Sequence, residues 1–167
     1  MTLKRKHMRL DDYDYSLPGA YFVTVCASKP VPLFGRVAGN TVKLNSLGRL
    51  VLQTLCEIPP HYPHVQLDAH VVMPDHLHAI LLLNLDNPDG IVRERTPALP
   101  QLMKRFKSLA SRRYGELRKA NRMWTLPEKL WQRGYYDRIL RGENDLDEKR
   151  AYILSNPQRW TLKHGSE

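Results

Sequence analysis

Residues 65–83 read Val65-Gln66-Leu67-Asp68-Ala69-His70-Val71-Val72-Met73-Pro74-Asp75-His76-Leu77-His78-Ala79-Ile80-Leu81-Leu82-Leu83. Two apolar runs flank the Pro74-Asp75 pair, which predicts strands over 65–73 and 76–83 joined by a tight turn. Alternate side chains of a strand point to opposite faces. His76 and His78 therefore share one face, while Leu77, Ala79, Leu81 and Leu83 share the other. That pattern suits a strand with one functional face and one core face. Two imidazoles side by side have the spacing to share a divalent cation. The bland alternative is a pair of half-buried histidines bonded to their neighbours. His70 begins a strand, as an outer support of such a site or as plain core. His61, His64, His7 and His164 read as solvated.

Working outward, residues 20–27 (AYFVTVCA) are β-branched and aromatic and predict a buried strand. Residues 29–40 hold Pro30, Pro32, Gly35 and Gly39, which punctuate a loop or short hairpin. Leu44, Leu47, Leu50, Val51 and Leu55 recur at helical spacing over 44–57, and Pro59 and Pro60 stop that helix. Residues 84–97 form a polar connection expected to be mobile. Leu99, Leu102, Met103, Phe106, Leu109, Ala110 and Leu117 give a second helix over 99–120. Residues 135–140 (YYDRIL) read as a strand. Asp145 and Glu148 form a capping pattern for a third helix, which Pro157 ends near Asn156.

The order β-α-β-β-α-β-α predicts an α+β chain. It is a ferredoxin-like (βαββαβ) antiparallel sheet with helices on one face, plus a C-terminal helix. Three regions are expected: a basic arm over 1–19, one domain over 20–160 and a tail over 161–167. No internal repeat or low-complexity tract is present.

The 167 residues carry 26 Lys and Arg against 17 Asp and Glu, a net charge of +9. Such an excess calls for a polyanionic partner, with DNA or RNA first. The longest apolar run, 79–83, is far too short to span a membrane. Residues 1–10 lack the apolar stretch of a secretory signal. Cys26 and Cys56 are too few for a disulfide scaffold and read as core. A cytoplasmic protein without membrane contact is the expectation.

The C-terminal helix adds a second constellation. Tyr152 and Asn156 are spaced i, i+4 and share a helix face. An amide oxygen suits Mg²⁺ or Mn²⁺ and would complete a set with His76 and His78. The alternative packs Tyr152 on the sheet and leaves Asn156 as a cap. Free tyrosine, with a pKa of about 10, needs a polarised target to act as a nucleophile. Spacing alone does not choose Tyr152 from eight tyrosines, and Tyr114, Tyr135 and Tyr136 compete.

Residues 101–122 hold eight Lys and Arg against one acid, Glu116, a net +7. Lys104, Arg105, Lys107, Arg112, Arg113, Arg118 and Lys119 line that helix as candidate phosphate contacts. Trp124, Trp131 and Trp160 lie near basic residues, as base-stacking platforms or as core.

The segments DYDYSLPGAYFVTVCA, VVMPDHLHAILL, LWQRGYYDRIL and RAYILSNPQRW resemble those of the REP-associated tyrosine transposases. These are single-copy relatives of the single-tyrosine transposases of the HUH endonuclease superfamily. The resemblance covers residues 10–160, and the combination of motifs, order and spacing is more specific than any motif alone. It implies that His76 and His78, around Leu77, are metal ligands of the His-hydrophobic-His motif. Tyr152, in Tyr-Ile-x-x-Asn-Pro, falls on the family's nucleophile, and Asn156 falls on its third ligand. It further implies the ferredoxin-like fold and a Mg²⁺ or Mn²⁺ cofactor. The implied reaction cleaves single-stranded DNA beside hairpins of repetitive extragenic palindromes through a 5′-phosphotyrosine. Residues 84–97 and 120–128 have no confident match. The chain is expected as a monomer or homodimer, with cis or trans action of Tyr152 open.

Two other readings compete. A non-catalytic nucleic-acid-binding module shares this sheet, but the chain lacks the aromatic K/R-G-F/Y-G/A-F run of RNA-recognition domains. A zinc hydrolase is disfavoured because Asn is a poor zinc ligand and no Glu neighbours the histidines.

Overall fold

The computed structural model describes residues 12–15, 17–83 and 97–165. Most of the basic arm and nearly all of the 84–97 connection lie outside the described residues. The elements run β1 (Gly19–Cys26), β2 (Gly35–Ala38), β3 (Thr41–Leu44), α1 (Ser46–Cys56), α2 (Ile58–His61), β4 (Val65–Val72), β5 (His76–Leu83), α3 (Leu99–Ala120), β6 (Tyr136–Leu140) and α4 (Glu143–His164). Strands β4, β5, β1 and β6 form one antiparallel sheet in that spatial order. This is the α+β, ferredoxin-like arrangement expected from the element order. The 29–40 stretch resolves into the β2–β3 hairpin, a separate two-stranded sheet.

The alternation along β5 is borne out. Leu77, Ala79, Leu81 and Leu83 are buried in one core with Val23 and Val25 of β1. Leu47, Val51 and Leu55 of α1, and Leu102, Met103, Phe106 and Ala110 of α3, close that core from above. Burying each aliphatic side chain contributes about 1.5–3 kcal/mol, so this layer fixes the sheet's register. Asn45 caps α1, its side chain accepting from the Gly48 N–H at 3.0 Å. A Cβ at Gly48 would meet the Phe34 carbonyl oxygen at 2.1 Å, so only glycine lets α1 lie this close to residue 34.

The opposite face of the sheet is covered in part by α4, over β4 and β5. Ala20, Ile80, Leu140 and Ile153 form a smaller core there, with Phe22, Val71, Leu82 and Leu146 packed around it. Arg150 fastens the helix to β4, donating to both Asp68 carboxylate oxygens at 2.7 and 2.8 Å. Asp68 lies where the β4–β5 register shifts between Leu67 and His70.

Helix α4 departs from its expected limits at both ends. It begins at Glu143 behind Gly142, whose φ is 89°. The Asp145 carboxylate accepts the Arg141 N–H at 2.9 Å instead of capping a later start. It also continues through Pro157 to His164. Proline removes one backbone hydrogen bond from a helix interior. Here Pro157 is buried, and the turns beyond it bring Trp160 to the sheet. Cys56 is exposed and Cys26 half-buried, so the cysteines are not core as expected. Trp131 is core, packed on Phe34 and Phe106. Among the described residues no helix is long and apolar enough to cross a membrane.

Candidate active site

His76 and His78 project from the α4 side of β5 with ring centroids 4.7 Å apart. Each has its Nδ1 engaged. The Asp75 carboxylate lies 2.6 Å from Nδ1 of His76, and Thr24 Oγ1 lies 2.8 Å from Nδ1 of His78. Thr24 stands opposite His78 in the β1–β5 register, which is why a residue 54 positions away reaches it. A carboxylate can only accept from His76 Nδ1–H, and in the neutral ring Nε2 then keeps its lone pair. This is the outer support that metal-binding histidines use. His78 is buried at 6% exposure. Burial, then the His76 and Lys149 charges, pushes its pKa down to about 3, so the ring stays neutral.

Helix α4 brings Tyr152 to this pair. Its ring centroid lies 5.3 Å from that of His78 and 6.0 Å from that of Phe22. Phe22 in turn stacks on His78 at 5.2 Å. Asn156, one turn beyond Tyr152, is buried. Trp160, a further turn on, sits 6.1 Å from His76. Tyr114 is buried in the α3 layer, and the sheet separates it from the histidines. Tyr135 also belongs to that core, and Tyr136 is exposed on β6.

Two cations flank the tyrosine, and the sequence reading missed both. Lys149 Nζ lies 5.4 Å from the Tyr152 ring centroid and 5.5 Å from that of Phe22. Its side chain is only 16% exposed, with Glu148 at 3.6 Å. Arg159 Cζ lies 5.2 Å from the Tyr152 ring, and its Nε donates to Ser155 Oγ at 3.0 Å. Their positions, i−3 and i+7 from Tyr152, are the available sequence signal. Thr24 and Asp75 were missed as well.

The donor set fits a divalent cation. Two imidazoles with oriented rings supply nitrogen donors of the kind transition metals take, and the buried Asn156 amide is an oxygen donor of the kind Mg²⁺ and Mn²⁺ take. Among the described residues no three His, Cys, Asp or Glu side chains gather to hold an ion. His70 stands opposite Ala79 in register, on the far face of the sheet, and takes no part.

The basic helix α3 lies in the layer opposite the histidines. Lys107 donates to the Gln132 and Gly134 carbonyls, Arg113 pairs with Glu57 at 2.8 Å, and Arg118 lies over Trp124. Lys104, Arg112 and Lys119 are exposed, and Arg105, also exposed, lies over Tyr62.

No protein-family model matches the chain. An uncharacterised protein of Haemophilus influenzae is 32% identical over 169 residues, covering 93% of this chain and 89% of that protein. A second H. influenzae protein, provisionally named a REP-associated tyrosine transposase, is 28% identical over 158 residues, covering 91% and 75%. Among solved structures, a REP-associated tyrosine transposase bound to a REP hairpin superposes with a TM-score of 0.61 at 17% identity, covering 96% of this chain and 74% of that one. That likeness establishes the shared fold. One curated relative carries the name of a REP-associated tyrosine transposase and the chain shares the fold of a solved one, so the chain is similar to the REP-associated tyrosine transposases.

Proposed function

We propose that the chain is a metal-dependent endonuclease and strand-transferase for single-stranded DNA, acting beside hairpin-forming palindromic repeats. The observation that carries this reading is the position of Tyr152. Its ring packs on His78 and has two cations within 5.4 Å of its centroid, where histidines with oriented rings meet helix α4. The solved relative's hairpin supports the choice of DNA.

In the reaction, the Tyr152 oxygen attacks the scissile phosphorus. The Oη–P bond forms as the P–O3′ bond breaks. The phenol gives up its proton, the departing 3′ oxygen gains one, and the 5′ phosphate stays on the tyrosine. The phosphodiester energy is kept, so a 3′-hydroxyl reseals the strand by the reverse attack without ATP. Lys149 and Arg159 are placed to meet the non-bridging phosphate oxygens. His76, His78 and Asn156 would hold Mg²⁺ or Mn²⁺, which supplies charge stabilisation at the scissile phosphate. Phe22 excludes water from one face of His78. The exposed cations of α3 contact phosphates of DNA that wraps beyond the cleaved strand, since they occupy the other layer.

The test is a denaturing gel of labelled hairpin DNA incubated with the protein and Mn²⁺ or Mg²⁺. Wild type should give a slow, protease-sensitive adduct that EDTA abolishes without unfolding the chain. Tyr152→Phe should give none while binding DNA within a few-fold of wild type. An adduct in the Phe variant overturns the assignment of Tyr152. Tight binding with no adduct under either ion makes the chain a non-cleaving nucleic-acid module instead.

A further inference from the structure

A cleft of about 540 Å³ opens beside His76, between the end of α4 and the β2–β3 hairpin. One wall is Trp160 stacked on His164, with ring centroids 4.1 Å apart. The facing wall is built from the segment Pro30-Val31-Pro32, whose Val31 is 41% exposed, and from the hairpin. Arg36 on β2 lines the cleft and is exposed. Asp75, which orients His76, also lines it, so the cleft meets the site at the first histidine.

We propose that this cleft seats one unpaired nucleobase of the cleaved strand, next to the scissile phosphate. The base lies against the Trp160–His164 stack, and Arg36 takes a backbone phosphate. The proposal rests on the strand-cleavage reading and names a subsite for it.

Four observations favour a base over other occupants. The volume falls in the range of small-molecule pockets, about 300–1,000 Å³, so one nucleotide unit fits. An aromatic wall in a cleft of mixed polar and apolar lining suits a base, which has a π face and polar edges. Arg36 is the one arginine or lysine among the described lining residues and suits one phosphate, while Asp75 at the same cleft is engaged with His76. The 6.1 Å between His76 and Trp160 is the reach of one nucleotide step from the reacting centre. The same residue, Trp160, is held by the helix that carries Tyr152. Base seating and nucleophile placement are therefore set by one rigid element.

The experiment uses hairpin oligonucleotides with single-stranded arms, in which one abasic residue is moved stepwise along the arm. Binding is measured by fluorescence anisotropy with the full chain in the Tyr152→Phe background, so that no chemistry is needed. Trp160→Ala and Trp160→Phe are compared there, after their thermal stability is checked. At one arm position the abasic residue should weaken binding about tenfold, the worth of a lost stacking contact. Trp160→Ala should weaken binding of intact DNA by the same factor and feel no further loss from that abasic residue. Trp160→Phe should recover most of the affinity.

Equal abasic penalties with and without Trp160, or no effect of Trp160→Ala on intact DNA, overturn the subsite. These results leave the adduct assay untouched, so cleavage stands if wild type forms its adduct. Trp160-dependent binding without an adduct overturns the cleavage reading and keeps the base site. Absence of any DNA binding overturns both.

Discussion

The Tyr152 ring meets the His78 ring of its own chain, centroid to centroid at 5.3 Å and with planes 66° apart. Phe22 stacks on the same imidazole, so β1, β5 and α4 converge on one ring. Under the proposed reading, this geometry has Tyr152 act with the histidine of its own chain. A mixture of Tyr152→Phe and His78→Ala chains should therefore form no adduct, because neither has a whole site. Adduct recovery in the mixture, read on the denaturing gel, would show that α4 serves a second chain.

Thr24 sets the orientation of His78 through a 2.8 Å hydrogen bond. Thr24→Val keeps the shape and removes the hydroxyl. Loss of such an outer partner costs metal sites about 10–100-fold in affinity or activity. Mn²⁺ titration of adduct yield should show that loss while the thermal transition stays cooperative. An unchanged Mn²⁺ requirement would mean that Thr24 only fills space.

Lys149 holds a charge over two aromatic rings with little exposure. Lys149→Ala should slow adduct formation at saturating DNA by about 100–1,000-fold, the scale of one electrostatic donor lost from a transition state. Lys149→Arg should restore a large part of the rate. A change confined to DNA affinity would place Lys149 in ground-state binding alone.

The clamp between α4 and β4 titrates. Hydrogen bonding from Arg150 lowers the Asp68 pKa in the folded chain, against an opposing push from burial. The contribution to stability is then fully present above the unfolded carboxylate range, near pH 4, and is lost as pH falls through the lower folded value. Wild type should exceed Asp68→Asn in thermal stability at neutral pH, and the gap should close in acid. A constant gap down to strongly acidic pH would show that packing, and not charge, sets the difference.

What was legible in the sequence follows from how local each signal is. His76 and His78 share a face because a strand alternates, and the alternation of Leu77, Ala79, Leu81 and Leu83 reports the same pleat. The i, i+4 spacing put Tyr152 and Asn156 on one helix face, but the choice of Tyr152 came from the resemblance. Thr24 and Asp75 carry no such mark. Thr24 joins the site only through the register of β1 on β5. Lys149 and Arg159 were visible as charges, and only their helical spacing from Tyr152, once that residue is chosen, set them apart from solvated ones. The end of α4 was misjudged because proline's local cost was set against no tertiary gain. The observed gain is burial of Pro157 and the placement of Trp160 at His76.

The central claim is that Tyr152 carries the DNA, and peptide mapping of the wild-type adduct tests it most directly. Trypsin releases residues 151–159, Ala-Tyr-Ile-Leu-Ser-Asn-Pro-Gln-Arg, which contain one tyrosine. After nuclease trimming, mass spectrometry should find the 5′-nucleotide on that peptide, with fragment ions placing it on Tyr152. A nucleotide on a peptide bearing Tyr114, Tyr135 or Tyr136, with the 151–159 peptide unmodified, would contradict the account.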